Sequence, residues 1–145
     1  MRFRVNGQPA PQGSKRHVGG GRMVEMSKAV GPWREAVRAE AQRTGSAEFW
    51  NPSDPGPLSV TVVFILKRPA SHFRTGRWSE RLRESAPRFP AGRPDVDKLA
   101  RAVLDGLVAG GVMADDAQVV SLNACKVYAS DGHAPGAIIE VEAMT

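Results

Sequence analysis

Between Pro94 and Gly111 the chain is punctuated so firmly that few folds can accommodate it. Pro94 biases Arg93 to an extended conformation and stops any helix from propagating backwards through Asp95. Gly110-Gly111 ends a helix at the other side. Leu99, Val103 and Leu107 recur every four residues between them, so Val96 to Ala109 reads as a helix with one core face. Two aspartates, Asp95 and Asp97, fall at its start, and Asp115-Asp116 falls in the turn beyond its end.

The rest of the chain arranges itself around that helix. Leu58 to Leu66 is rich in β-branched residues and reads as a strand. Residues 2–6 alternate polar and apolar side chains, as a short strand does. Gln118 to Tyr128 and Gly136 to Ala143 read as two more. Pro32 to Thr44 forms a second helix on the stripe Trp33, Ala36, Val37 and Ala41, with Pro32 in its first turn and Gly45 at its end. This order implies an α+β (mixed α/β) fold, a small sheet of about four strands with two main helices. At 145 residues, 1–145 reads as a single domain.

Two stretches resist regular structure, at about 8–22 and 69–94. The first contains Pro9, Pro11 and Gly19-Gly20-Gly21; the second has no sustained period and is dominated by Arg, Ser, Pro and Gly. Both read as basic loops, the second long and mobile, and loops of that length are usually functional. The overall charge of +5 is unevenly spread. Residues 1–28 carry a balance of +5 and residues 67–94 a balance of +6, while residues 95–116 reverse to −3. Basic surface binds a polyanion by releasing its counterions. Clustered carboxylates bind a divalent cation. No apolar run approaches the ~20 residues of a membrane helix. The first residues carry no apolar signal core, and Cys125 is the single cysteine. A cytoplasmic protein is expected, with no membrane partner.

The carboxylates have two readings. Asp95 or Asp97 can cap the helix, accepting from its free N–H groups. A cap needs one aspartate, though, and here two lie two apart while Asp116 returns after the helix. Mg²⁺ takes one or two carboxylates, keeps waters and leaves room for phosphate. Crowded like charges favour a cation as their resolution.

The residues Pro94-Asp95-Val96-Asp97-Lys98-Leu99, then Ala102-Val103-Leu104-Asp105-Gly106-Leu107, then Val112-Met113-Ala114-Asp115-Asp116-Ala117-Gln118-Val119 resemble the signature of the RusA-type crossover junction endodeoxyribonucleases. That family motif reads Pro-Asp-hydrophobic-Asp-Asn-Leu, then Asp-Ala-Leu, then Asp-Asp-Ser-Gln. The opening Pro9-Ala10-Pro11-Gln12-Gly13-Ser14-Lys15-Arg16, with Trp33-Arg34 on the following helix, is similar to a common variant of the family. The resemblance implies that Asp95, Asp97 and Asp116 are catalytic carboxylates holding Mg²⁺, with Mn²⁺ able to substitute. It implies a homodimer acting on four-way junction DNA. Lys98 stands where the family usually has Asn, and Arg101 where a functional lysine is expected. Arg101 keeps that charge but not the compact ammonium.

Phosphate contacts are expected from Lys15, Arg16, Arg74, Arg77, Arg81, Arg93 and Lys98, with Phe73 and Trp78 as stacking surfaces among the arginines. Asp105 is expected to pair with Arg101 at i,i+4, Trp33 and Trp50 to lie in core or interface, and Cys125 to be a buried small hydrophobe. His17, His72 and His133 have no metal-ligand spacing, and Gly19-Gly20-Gly21 is no phosphate loop. The other class that fits these residues is a non-catalytic basic module binding DNA junctions or single strands, its acidic cluster merely a capped helix.

Overall fold

A computed structural model describes residues 1–13, 15–18, 22–25, 28–51, 56–130 and 132–144. The elements run β1 (Arg2–Asn6), β2 (Lys15–Val18), β3 (Arg22–Glu25), α1 (Val30–Ala47), β4 (Leu58–Leu66), α2 (Val96–Ala109), β5 (Val119–Tyr128) and β6 (Gly136–Ala143). Four strands form one mixed sheet in the order β1-β6-β4-β5, with β4 and β5 parallel and the other pairs antiparallel. The fold class is α+β, with two helices on a four-stranded sheet, as the alternation of patterns implies.

β4 shows why the layers form where they do. Its burial alternates strictly, with Leu58, Val60, Val62, Phe64 and Leu66 buried and the intervening residues only partly so. That period of two puts one face on the helices. Ile139 and Val141 of β6, Phe3 and Val5 of β1, Leu99, Val103 and Leu107 of α2, and Trp33 and Val37 of α1 complete the same cluster. Joining parallel β4 to β5 needs a long crossover, and α2 with the segment before it supplies that.

The two helices approach each other closely at Gly106 of α2 and at Gly110, the residue that caps its C-terminus. A Cβ at Gly106 would lie 2.7 Å from Val37 Cγ1 and 2.8 Å from Val37 Cβ. At Gly110 it would lie 2.9 Å from the Arg38 carbonyl and 3.0 Å from Ala41 Cβ. The chain therefore places glycine, where the resembling motif has Asp-Ala-Leu, at the point where α1 crosses.

Several expectations change. Segment 8–22 is not all loop: β2 pairs antiparallel with β3, Lys15 opposite Glu25 and Arg16 opposite Val24. Two four-residue strands flanking a glycine cluster form a hairpin, a signal too short to stand out from the prolines nearby. α1 is longer than 32–44, because Val30 is itself in the core and anchors an earlier start. Cys125 is exposed rather than buried. It shares register with Val63, on the sheet face that carries no helix. Trp33 is in the core, and Trp50 is half-buried with its indole N–H donating to the Val112 carbonyl at 2.8 Å.

Gly106→Ala tests the helix crossing. Alanine favours a helix by about 1 kcal/mol, but overpacking against buried Val37 costs about 1–3 kcal/mol. The expected outcome is a net loss of stability in urea unfolding; an equally or more stable variant would show that the crossing has room.

Candidate functional site

The start of α2 is built by its punctuation. Asp95 is the N-cap residue, extended at φ −71° and ψ 136°, and the first helical bond runs from the Leu99 N–H to its carbonyl at 3.0 Å. Yet the Asp95 side chain accepts no capping bond. It turns instead to Lys98, whose Nζ lies 3.6 Å from Asp95 Oδ2. Both side chains are about half exposed, at 51% and 40%, so this pair contributes little to stability. Asp97 stands in the first turn, exposed. Both carboxylates gain from the partial positive charge of the helix N-terminus.

A cleft of about 600 Å³ opens beside Asp95. Pro9, Pro11, Arg93, Pro94, Asp95 and Lys98 are among its lining residues. The N-terminal segment is held there by the Gln12 N–H, which donates to the Lys98 carbonyl at 3.0 Å. Arg101 follows Asp97 by one turn and is exposed.

Asp115 and Asp116 behave differently from one another. Asp115 Oδ1 accepts from the Ala117 N–H at 2.7 Å, while Gln118 Oε1 accepts from Ala114 and Asp115 N–H groups at 2.8 and 3.2 Å. This reciprocal cap starts a 3-10 turn at Asp116–Gln118 that leads into β5. The Ala117 N–H holds the Asp115 carboxyl below its usual range, aided by a hydrogen bond shared with Asp116. That shared bond pushes Asp116 up, helped by partial desolvation and by the negative charges of Asp115 and Asp105.

Asp105 does not pair with Arg101. Its partner is Arg34 of α1, at 3.8 Å, because the crossing at Gly106 carries α1 over that side of α2. Arg34 also donates to Gln12 Oε1 at 3.2 Å.

The basic segment 69–94 is irregular but internally bonded. It contains 3-10 turns at Ala70–His72 and Gly76–Trp78, a bridge between Phe73 and Leu82, and bonds from Arg74 N–H to Arg81 O (2.8 Å) and Arg83 N–H to His72 O (2.9 Å). Trp78 is 46% exposed. The Arg81 and Arg77 guanidiniums lie 4.3 and 5.1 Å from its ring centre. Arg68 anchors the segment, stacking on Tyr128 at 4.3 Å and donating to Pro87 O at 2.8 Å.

The structure thus gathers Arg93, Asp95, Asp97 and Lys98 at one helix end. Asp116 is not gathered with them: among the described residues, no group of three His, Cys, Asp or Glu side chains is close enough to hold a metal ion. Arg74, Arg77 and Arg81 share one exposed surface. Lys15 and Arg16 lie on β2, their side chains outside the described residues. Sequence reasoning missed Lys126, whose Nζ donates to the Gly92 and Pro94 carbonyls at 2.7 and 2.9 Å. Its signal was a lone charge in an otherwise uncharged strand.

The family model described as Endodeoxyribonuclease RusA matches residues 6–142. A comparison with curated proteins finds no match. Among the described residues, no helix is long and apolar enough to cross a membrane.

Asp115→Asn removes the like charge beside Asp116 and replaces a carboxylate acceptor with a neutral, weaker amide one. Asp116 should then titrate at lower pH than in the wild type, read by carboxyl ¹³C NMR. An unchanged or higher midpoint would show that Asp115 does not set it.

Proposed function

The chain belongs to the RusA endodeoxyribonuclease family, and from that premise we propose that it is a cytoplasmic, Mg²⁺-dependent Holliday junction resolvase working as a homodimer. The observation that carries the reading is Asp95. It occupies the cap position of α2 without spending its carboxylate there, and it faces a cleft flanked by Arg93 and Lys98.

The donor chemistry fits the metal. Asp95 and Asp97 offer hard oxygens at one helix end, the number Mg²⁺ commonly takes from protein when phosphate supplies others. Asp116 is proposed as the third carboxylate. Bound there, Mg²⁺ would supply Lewis acidity, easing deprotonation of water and stabilising the leaving oxygen. Arg101, one turn from Asp97, is placed to meet developing phosphate charge with a permanent cation. Arg93 and Lys98 neutralise the backbone at the cleft. Lys15, Arg16, Arg74, Arg77 and Arg81 extend that contact along the junction arms, and Trp78 offers an aromatic face to an unstacked base.

A four-way junction with two strands to cut calls for a twofold enzyme, and a preformed dimer delivers the second site at high effective concentration. β4 is central, so both its edges are spent on β5 and β6. β5 is one of the sheet's two edge strands, β1 being the other, and it exposes Val120 and Leu122, at 62% and 45%. An edge with exposed apolar side chains and a single charge, Lys126, is suited to pairing with a second copy. Sedimentation of the free protein at twice 15.6 kDa is the mass this requires; a monomer would contradict it.

Asp97→Asn is expected to abolish cleavage of a synthetic four-way junction in Mg²⁺ while junction binding stays within about threefold, since a lost metal ligand removes no phosphate contact. Near wild-type cleavage by the variant would refute the assignment. A wild type that binds junctions and never cuts them would identify a non-catalytic binding module instead.

A further inference from the structure

Lys126 is the one charged residue of β5. In register it stands beside Phe64 of β4, which is fully buried. Neighbours across a ladder share a face of the sheet, so Lys126 is directed to the side that carries the helices. The Lys126 side chain is partly shielded from water there, and its ammonium is ordered by acceptors. It finds them in the segment entering α2, at the carbonyls of Gly92 (2.7 Å) and Pro94 (2.9 Å). Both are charge-assisted bonds, roughly twice as strong as neutral ones. The Pro94 carbonyl belongs to the peptide unit that continues into Asp95. α2 makes its first bond one residue later, at the Asp95 carbonyl.

We propose that Lys126 is a positioning residue for the nuclease centre: from the sheet, it pins the peptide leading into Asp95 and thereby sets where that carboxylate meets a divalent cation. Asp95 needs such a support. Its side chain makes no capping bond and its contact with Lys98 is half-exposed, so its own surroundings hold it weakly. The Gly92–Pro94 turn is likewise outside any regular element. A ligand on an unsupported turn would have to be ordered when the cation binds, and the Lys126 bonds supply that order beforehand.

The inference rests on the nuclease reading but is separable from it by sign. If Lys126 acted only through its charge, Lys126→Met would remove a cation near two carboxylates and tighten divalent-ion binding. If it positions Asp95, the same substitution loosens the ligand and weakens binding. Calorimetry of Mn²⁺ binding to the free protein, without DNA, reads the sign directly. Support for outer contacts of metal ligands typically changes affinity or activity about 10–100-fold. The expected result is a loss of that size in Mn²⁺ affinity, a matching rise in half-saturating Mg²⁺ for junction cleavage, and junction binding in EDTA within about threefold of wild type.

Unchanged or tighter Mn²⁺ binding would overturn the proposal. So would a loss of junction binding in EDTA as large as the loss in cleavage, which would make Lys126 a phosphate contact. Lys126→Gln keeps two N–H donors on a shorter stem; it carries the same test with a smaller loss of the same sign should Lys126→Met not fold. A wild type that cuts no junction would refute the nuclease reading, and the Mn²⁺ measurement would then still judge Lys126.

Discussion

A helix start exposes N–H groups without partners, and a polar side chain at the cap position ordinarily fills one of them. α2 departs from that arrangement. Asp95 has the extended backbone of a cap, but its carboxylate lies towards Lys98 and the cleft, and Asp97 stands exposed in the same turn. Two carboxylates two residues apart repel each other, and what offsets this is the helix dipole and one half-exposed lysine. The site therefore keeps two hard oxygen donors uncommitted, at the cost of a conventional cap. The cleft, the basic flank and the Lys126 bonds all acquire their meaning from that uncommitted pair.

The scaffold keeps this helix end in place from three sides. From below, Leu99, Val103 and Leu107 are fully buried against the sheet. From the side, α1 is drawn in at Gly106 and Gly110, which also aligns Arg34 with Asp105 and Gln12. From the edge, β5 contributes Lys126 to the turn before Asp95 and Tyr128 to the Arg68 stack that anchors the basic segment. β5 thus serves both the acidic centre and the surface of Arg74, Arg77 and Arg81. β2 and β3 pair with each other in a separate two-stranded sheet.

Much of this was legible in the residues where local signals agree. Pro94 and Gly110 bound α2, and its observed limits are Val96 and Ala109 as read. The strands at 2–6, 58–66 and 136–143 were equally plain, since alternation and β-branching coincide there. What could not be read is what depends on packing. Cys125 was expected to be buried because strand pattern does not say which sheet face is covered. Asp105 was assigned to Arg101 because i,i+4 spacing is visible in a sequence and the arrival of Arg34 from another helix is not. The β2–β3 hairpin was hidden by its short strands. Lys126 lies 31 residues from Asp95 in the chain, and only the parallel crossover brings them together. Within the acidic set, local spacing identified Asp95 and Asp97 as neighbours, whereas Asp116 lies where it senses Asp105 and Asp115, a consequence of the 3-10 turn that precedes β5.

The central claim is that the carboxylates at the start of α2 serve a cation rather than the helix. Anomalous scattering from crystals of the protein grown with Mn²⁺ tests this most directly. A manganese peak within ligand distance of the carboxylates of Asp95 and Asp97 is the predicted result. A structure with no peak at that helix end, and with Asp95 or Asp97 accepting bonds from the first N–H groups of α2, would contradict it.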